Sequence, residues 1–356
     1  MSDESHSSCC GHEAGHKPDD APVLVEVTRG GMVESRHHAV ACVVDAEGRV
    51  VRHWGDFERP VYARSAIKSL QALPLIETGA ADAFELGDEE LALACASHAG
   101  EPVHTARVAA WLERIGLGPS DLECGVHLPY DEETAHDLLR RGEGPRPVHN
   151  NCSGKHAGML TTAVHRGEPT RGYIRRDHPV QQRILGVLEQ MTGHPLEGAP
   201  WGHDGCGIPT IAIPLGGIAF AMARIADPSG LPDRRAEAAT RLRRAWSAHP
   251  HLVGGRGSYD TGLMKAAGSR VLLKVGAEGV MCAVVPELGL GAAVKVEDGA
   301  GRAAGVAMAA ILGELGVLPD AGEDLAALLR PPLANRAGLR VGEVRPSDVL
   351  AGGPAA

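Results

Sequence analysis

Aromatic residues make up only 3% of the 356-residue sequence, and positive charge is also in deficit. With so few aromatic rings, stacking platforms for bases or sugars are scarce, and the core must be built from aliphatic side chains. The formal net charge is −10, and no Lys/Arg-rich run interrupts the excess of acidic residues. Such a surface repels phosphate backbones, so we expect a small polar substrate and no nucleic-acid partner.

Long apolar runs are missing as well. No apolar segment approaches the roughly 20 residues that a bilayer crossing needs, so we expect no membrane partner. The N-terminus lacks the basic start, the apolar stretch and the small-residue cleavage site of a secretory signal. We therefore expect a cytoplasmic protein, in which the eight cysteines are free, buried or metal-bound rather than disulfide-bonded.

The sequence divides into a polar N-terminal tail and a longer segment with the composition of a folded domain. Residues 1–21 are polar and lack a periodic apolar face, which predicts a disordered tail. The tail contains Cys9, Cys10, His12 and His16, but a mobile segment without fixed geometry is weak evidence for a metal site. The chain as a whole, with 44% hydrophobic and 22% charged residues, has the balance of a globular protein, and we predict a single folded domain over residues 22–350.

The order of sequence patterns predicts the fold class. Short β-rich runs begin at Val23 and read VLVEVT, HHAVACVVD and RVVRHWG. After Ser65 the pattern becomes helical and rich in Ala and Leu, and strand character returns from Arg270 to Val296 before one more helix. Strands at both ends with helices between them predict an α+β fold, in which the N- and C-terminal strands share one antiparallel sheet beside a helical region.

Two motifs place a lysine near a serine. Ser65 and Lys68 form a Ser-x-x-Lys where strands give way to a helix, so the hydroxyl and the ammonium share one helical face near the positive end of the dipole. Lys274, on a late strand, is followed by Val275 and Gly276. Serine β-lactamases and penicillin-binding proteins pair such a Ser-x-x-Lys with a Lys-Thr-Gly on a strand. The alternatives are a capping serine beside a surface lysine, and a strand lysine that points to solvent.

A third motif, CASHAGE over residues 95–101, ends an apolar helix with several polar groups. Ser97 is a candidate for a second nucleophile or for a proton relay to Ser65. The alternative is an ordinary helix end capped by Gly100.

Two glycine-rich segments carry cysteines beside charged residues. NNCSGKHAGM contains Cys152 and Lys155, and DGCGIP contains Cys206, and we interpret both as loops. Two thiolates and a nitrogen are able to hold zinc, although lysine must first lose its proton. The alternative is a pair of buried reduced cysteines that line a pocket, whereas Cys42 and Cys282 lie in apolar strands and are typical of core packing.

Together, RSAIKSLQ, CASHAGE, NNCSGKHAGML, DGCGIP and KVGAEGV resemble the rhizobial-type (class 3) L-asparaginases. The resemblance implies a fold similar to serine β-lactamases and glutaminases, a homodimer, and L-asparagine as substrate. For the site it implies two pairs, Ser65 with Lys68 and Ser97 with Lys274, a zinc ion on Cys152, Lys155 and Cys206, and pocket positions at Arg64, His156 and Asp204. The usual Lys-Thr-Gly is Lys-Val-Gly in this sequence, which leaves the role of the threonine hydroxyl open.

The predicted reaction is acyl transfer from the side-chain amide of asparagine to Ser65, with neutral Lys68 as base. Two alternatives remain. A β-lactam-directed or peptidase-like serine hydrolase shares the serines and lysines but has no need of the cysteine segments. A non-enzymatic metal-binding protein uses the Cys and His residues but leaves the Ser-Lys pairs idle.

Overall fold

The structure, a computed structural model, describes residues 21–320 and 322–351. Apart from Ala21, the predicted tail lies outside the described residues. The strands are β1 (Val23–Arg29), β2 (Met32–Asp45), β3 (Val50–Trp54), β4 (Pro60–Tyr62), β5 (Trp201–His203), β6 (Pro209–Pro214), β7 (Leu272–Val275), β8 (Val280–Val285), β9 (Leu290–Val296), β10 (Pro332–Ala334) and β11 (Arg340–Pro346).

Most of the described α-helices lie between β4 and β7, and the last three follow β9. They are α1 (Lys68–Glu77), α2 (Ala80–Ala83), α3 (Asp88–Ala94), α4 (Pro102–Arg114), α5 (Glu132–Arg140), α6 (Ser153–Arg166), α7 (Pro179–Thr192), α8 (Leu215–Ala226), α9 (Asp233–Ala248), α10 (Pro250–Val253), α11 (Tyr259–Ala267), α12 (Gly301–Glu314), α13 (Glu323–Leu329) and α14 (Asp348–Ala351). Short 3-10 helices cover Arg64–Ile67, Pro119–Asp121, Pro147–His149, Gly268–Arg270 and Pro286–Leu288. In the described residues, no helix is both long and apolar enough to span a bilayer.

One antiparallel sheet joins the two ends of the chain, as the sequence predicts. Its strand order is β10-β11-β1-β2-β9-β8-β7, with β3 paired to β2, and a separate small sheet has the order β4-β6-β5. β2 pairs antiparallel with β9, so that Ala41 lies opposite Val294. The α+β prediction is confirmed, because strands from the start and the end of the sequence share hydrogen bonds while the helical region lies beside them.

The centre of the sheet is covered on both faces. Every residue of β8 is buried, which requires apolar side chains on both sides of the strand, and the helices α8 and α12 pack against β8 and β9. This burial explains why β8 is a continuous apolar run rather than an alternating one. Cys42 on β2 and Cys282 on β8 are fully buried in this core, in agreement with their interpretation as packing residues.

The segment after α3 differs from the expectation. The helix ends at Ala94 with Cys95 as its C-terminal cap, so residues 96–101 form a non-helical connection to α4, and the interpretation of Gly100 as a helix cap is wrong. Gly100 has φ +78°, and a Cβ there would lie 3.1 Å from the carbonyl oxygen of His149. Its small size is needed for this close approach instead. The connection brings Ser97 to the edge of β7.

Candidate active site

A pocket of about 390 Å³ lies between the start of the helical region and the end of β7. Ser65 and Ser97, both half-buried, face it from two different segments. The remaining lining residues are Ala99, Tyr130, Asn151, Gly254, Arg256, Gly257, Ser258, Val275, Gly276 and Ala277. The structure therefore brings together the first three sequence motifs, and it adds a loop over residues 254–258 that sequence reasoning missed.

The hydroxyl of Ser97 lies between two buried lysines. The Nζ of Lys68 donates a hydrogen bond to Ser97 Oγ at 2.9 Å, and the Nζ of Lys274 donates to the same oxygen at 2.9 Å. Each ammonium has one further acceptor, the carbonyl oxygen of Ala96 for Lys68 at 2.5 Å and that of Val275 for Lys274 at 2.8 Å. Both lysine side chains are completely shielded from solvent. Two like charges held this close oppose each other's ionisation, which favours a neutral form of one lysine.

Ser65 differs from Ser97 because, among the described residues, its hydroxyl makes no hydrogen bond. It is the second residue of the 3-10 helix Arg64–Ile67, directly before α1. Lys68 lies at the start of α1, but its Nζ is directed to Ala96 and Ser97. Ser65 and Lys68 therefore lie in the same site but make no hydrogen bond to each other, whereas Lys274 donates a hydrogen bond to Ser97. A free hydroxyl that faces a pocket is accessible to a substrate carbonyl.

The turn that presents Ser65 is strained. Arg64 has φ 51°, a left-handed conformation that costs a non-glycine residue about 1–3 kcal/mol. Its Nε donates to Asp204 Oδ1 at 2.6 Å, and this ion pair holds the turn against the loop between β5 and β6. Burial raises the pKa of the Asp204 carboxyl, but Lys155 and Arg64 outweigh it and hold that pKa below its usual value. The sequence identified both residues but gave no signal of the strain.

The two lysines beside Ser97 have lowered pKa values. Burial is the main cause for Lys274, assisted by the charge of Lys68 and opposed by Asp260, and together these effects lower the pKa of Lys274 to about 8. Burial also lowers the pKa of Lys68. Asp260 is a residue that sequence reasoning missed. It is fully buried near the start of α11. Its Oδ1 accepts from the backbone N–H of Thr261 at 3.0 Å, whereas its Oδ2 is 3.9 Å from the Nζ of Lys274 and has no hydrogen-bond partner among the described residues.

The cysteine segments meet at a second buried cluster. Cys152 precedes α6, so the segment that follows is the first turn of a helix and not the expected loop, whereas Cys206 does lie in a loop. The Nζ of Lys155 donates to Cys206 Sγ at 3.2 Å. A hydrogen bond from Cys152, assisted by Lys155, lowers the pKa of Cys206 to about 5. Burial lowers the pKa of Lys155, but the two cysteines outweigh burial and raise it above its ordinary value.

The donors of this cluster fit a zinc ion by their chemistry. Two sulfurs and one nitrogen converge from α6 and the β5–β6 loop, and soft thiolates suit zinc. Cys206 has the lowered pKa of a thiolate, whereas Lys155 must release its proton before it can be a ligand. His156 lies beside them. Its Nε2 is buried and finds no hydrogen-bond partner in residues 21–320 and 322–351, while its Nδ1 is 2.8 Å from Tyr173 Oη.

The three predicted substrate-binding residues lie near the Ser65 turn and the cysteine cluster, and their role in binding substrate stays a prediction. Arg64, His156 and Asp204 are not among the described residues that line the pocket. His156 is completely buried, and Arg64 and Asp204 pair with each other. Tyr130, Asn151 and Arg256 occupy the wall instead. Asn151 belongs to the NNCSGKHAGM segment, whereas no motif in the sequence marks Tyr130 and Arg256.

A model of the family described as L-asparaginase II matches residues 25–346. The chain belongs to the L-asparaginase II family. This membership covers nearly all of the described residues and makes the protein a hydrolase with a small-molecule substrate. A comparison with curated protein sequences finds no significant match to this chain.

Solved structures resemble this L-asparaginase II family member only distantly. One is a simvastatin synthase mutant, LovD6, from Aspergillus terreus, with 10% identity, 73% of this chain and 86% of that chain covered, and a TM-score of 0.39. A β-lactamase from Mycobacterium bovis has 14% identity, covers 78% and 94%, and has a TM-score of 0.39. A putative β-lactamase from Bacteroides dorei has 14% identity, covers 72% and 84%, and has a TM-score of 0.37.

Proposed function

We propose that the protein hydrolyses L-asparagine to L-aspartate and ammonia through an ester on Ser65. The observation that carries the proposal is the shared pocket, in which the free hydroxyl of Ser65 lies near a second hydroxyl, Ser97, that both buried lysines contact. Acyl transfer needs a nucleophile and a base that is neutral near the working pH. Family membership supplies the substrate class.

In the first half of the reaction, the Ser65 oxygen bonds to the amide carbon of the substrate. The hydroxyl proton leaves through Ser97 to neutral Lys68, whose Nζ is 2.9 Å from Ser97 Oγ. The carbonyl electrons move to oxygen, and backbone N–H groups at the helix start beside Ser65 stabilise the oxyanion. When the C–N bond breaks, the proton returns to the leaving nitrogen, which departs as ammonia and leaves an aspartyl ester.

In the second half, water replaces ammonia. The same base removes a proton from water, the hydroxide oxygen bonds to the ester carbon, and the C–O bond to Ser65 breaks. The proton returns to the Ser65 oxygen, so that the serine and the lysine end in their starting states. Lys274 remains beside Ser97, where its charge and that of Lys68 oppose each other, while burial lowers the pKa of both lysines.

We propose zinc as the metal of the cysteine cluster, held by Cys152, Lys155 and Cys206. When bound, zinc would supply a positive charge that orients the substrate near its α-carboxylate or amine. Arg64 is joined to this cluster through Asp204, which is one of the charges acting on Lys155. The residues of the cluster thereby position the strained turn that presents Ser65.

The direct test is ammonia release from L-asparagine and L-glutamine, measured side by side, together with cleavage of a chromogenic β-lactam. We expect release from at least one of the amides, because the two substrates differ by one methylene and a pocket discriminates such a difference by only about 10–200-fold. Trapping of an aspartyl adduct on the peptide that contains Ser65 supports the mechanism. Hydrolysis of the β-lactam without ammonia release would contradict the asparaginase assignment.

We also propose a homodimer located in the cytoplasm. The dimer is supported by an exposed apolar strip beside the pocket mouth, where Val126, Leu128 and Tyr130 are 56%, 40% and 65% exposed. A second copy that covers this strip would remove apolar surface from water. Light scattering of the purified protein tests the dimer, and Leu128→Glu should shift it to monomer. A wild-type monomer at micromolar concentration would contradict it.

A further inference from the structure

Three metal-ligating side chains meet outside both clusters described so far. Glu101 precedes α4, His104 lies in its first turn, and His251 belongs to α10. One potential ligand atom from each residue lies within 4.8 Å of the other two. His251 Nε2 is 3.3 Å from Glu101 Oε2, and His104 Nδ1 is 4.0 Å from Glu101 Oε1. We name these three residues the Glu-His-His cluster.

The hydrogen bonds of His104 fix which of its nitrogens is free. Its Nε2 is 3.0 Å from the carbonyl oxygen of His251, and a carbonyl only accepts, so Nε2 carries the proton and donates. In the neutral ring, Nδ1 therefore carries no proton and has a free lone pair. This atom is buried and has no hydrogen-bond partner within the part of the chain that the structure describes, and the residue is 0% exposed. Metal-bound histidines show the same arrangement, in which a carbonyl accepts from one ring N–H and the other nitrogen keeps its lone pair for the ion.

The other two ligands are also oriented, and the cluster has a way in. The backbone N–H of Arg256 donates to Glu101 Oε1 at 2.8 Å, which holds the buried carboxylate between the two rings. The His251 side chain is 37% exposed and lines an open pocket of about 680 Å³. An ion can therefore enter from the side of His251 and reach the buried Nδ1 of His104.

We propose that the Glu-His-His cluster binds a divalent transition ion of the zinc class, at a site separate from the cysteine cluster. Two imidazoles and one carboxylate are a known zinc set that leaves a fourth position open. In a tetrahedral zinc site the ligand atoms are about 3.3 Å apart, and those of the cluster lie within 4.8 Å of one another, so a contraction of up to about 1.5 Å forms the site. The opposing feature is Arg256, whose Nη2 is 3.7 Å from Glu101 Oε2. Its guanidinium is 61% exposed and also pairs with Glu133, so it is free to leave.

An ion at this position would act on the pocket through the backbone. It would join α10 to the start of α4, directly before the loop over residues 254–258 that lines the pocket. The backbone N–H of Ser97 donates to the carbonyl oxygen of Val253, the last residue of α10, at 2.9 Å. The ion would contact neither serine, so we expect a change in KM rather than in kcat when it binds.

The experiment counts bound zinc in full-length variants by equilibrium dialysis. The background is Cys152→Ser/Cys206→Ser, which removes the cysteine cluster, and His251→Ala is compared with His136→Ala, an exposed histidine on α5 without a hydrogen bond in the described residues. Because residues 1–20 also contain Cys and His, the count is read as the difference between the two variants. We expect one equivalent fewer, or an affinity at least about tenfold weaker, in His251→Ala. Equal zinc content in the two variants would overturn the proposal.

A second measurement in the otherwise wild-type chain does not depend on the cysteine variants. Cobalt(II) at the Glu-His-His cluster gives visible d–d bands without the thiolate charge-transfer band that a cysteine site adds. We expect His251→Ala and His104→Gln to lose the bands of this site and to keep the charge-transfer band, and Arg256→Ala to bind more tightly because a competing cation is gone. Unchanged d–d intensity in His251→Ala would show that Glu101 and His251 form only an ion pair.

Discussion

Two lysines in this protein are almost equally buried but have pKa values shifted in opposite directions. Lys274 and Lys155 are both shielded from solvent, yet the pKa of Lys274 falls to about 8 and that of Lys155 rises. Lys274 contacts a neutral hydroxyl and a carbonyl and lies near a second lysine, whereas Lys155 donates to the sulfur of Cys206 at 3.2 Å. Burial lowers the pKa of both lysines. At Lys274 burial prevails over the charge of Asp260, whereas at Lys155 the two cysteines outweigh burial. One environment suits proton transfer, and the other stabilises a cation.

The largest loss of activity is expected from substitution of the two serines that lie near Lys274. Ser65→Ala should lower kcat/KM by on the order of 10⁴-fold or more, because the atom that forms the ester is gone. Ser97→Ala should cost about 10²–10⁴-fold, since a proton relay is lost while the nucleophile remains. Steady-state ammonia release measures both, and circular dichroism checks the fold.

One set of results would exchange the roles of nucleophile and proton relay between Ser65 and Ser97. If Ser65→Ala keeps most of its activity, Ser97→Ala has none, and the trapped adduct is found on Ser97, then Ser97 is the nucleophile. The two contacts at 2.9 Å from Lys68 and Lys274 would then activate it directly. Double substitution provides the control, because residues that act as one unit show non-additive losses.

The pH dependence tests the lysine pair. The pKa of Lys274 is lowered to about 8, so Lys274 is protonated at pH values below this. The two lysines titrate as a coupled pair around Ser97. Activity should therefore rise with pH from 6 towards 9 with an apparent pKa near 8, since the neutral form of one lysine is the base. Lys274→Met removes a positive neighbour of Lys68, so the pKa of Lys68 rises and the ascending limb should move to higher pH.

The pH profile must be measured for kcat/KM in both the wild type and Lys274→Met. Lys265→Met, on α11 outside the pocket of the two serines, is the matched lysine control and should keep the wild-type profile. A flat profile from pH 6 to 9 in the wild type would exclude a lysine base. A limb that stays in place in Lys274→Met, or moves to lower pH, would show that the charge of Lys274 does not hold down the pKa of Lys68.

The cysteine cluster tests the Lys155 side. Cys206→Ser should remove one zinc equivalent and raise KM by about 10–100-fold with a smaller change in kcat, because we assign the metal to substrate orientation. Cys42→Ala, in the buried core of β2, is the matched control and should leave the zinc content unchanged. Metal analysis with parallel kinetics measures both effects. Collapse of kcat at constant KM would move the metal into the chemical step, as a Lewis acid on the amide carbonyl.

Sequence predicts the features of this protein that follow from hydrophobic periodicity or from a motif of a few adjacent residues. The strand and helix segments follow from hydrophobic periodicity, and the Ser-x-x-Lys turn, Lys274 and the cysteines are visible because each motif lies within a few residues. Asp260 and His251 were missed because their partners, Lys274 and Glu101, come from distant segments. The strain at Arg64 depends on its contact with Asp204, 140 positions later, and no local pattern records such a contact.

The smallest effect concerns the glycine behind the Ser65 turn. A Cβ at position 276 would lie 2.9 Å from the carbonyl oxygen of Ala63 and 3.1 Å from the backbone nitrogen of Ala66, so Gly276→Ala must displace the turn that holds Ser65. We expect a loss of about 1–3 kcal/mol in the free energy of unfolding. Because misplacement of a reactive group by about 1 Å costs as much as 10²-fold, we also expect kcat to fall about tenfold.

Gly186→Ala is the matched control for this substitution. Gly186 lies inside α7, and a Cβ there meets nothing within 4 Å, so alanine should add about 0.5–1 kcal/mol through its higher helix propensity. Chemical denaturation measures both variants, and ammonia release measures kcat. If Gly276→Ala loses stability but keeps full kcat, the end of β7 supports the fold without positioning Ser65. The lysine on that strand would then act on Ser97 alone, and the link between β7 and the nucleophile would be broken.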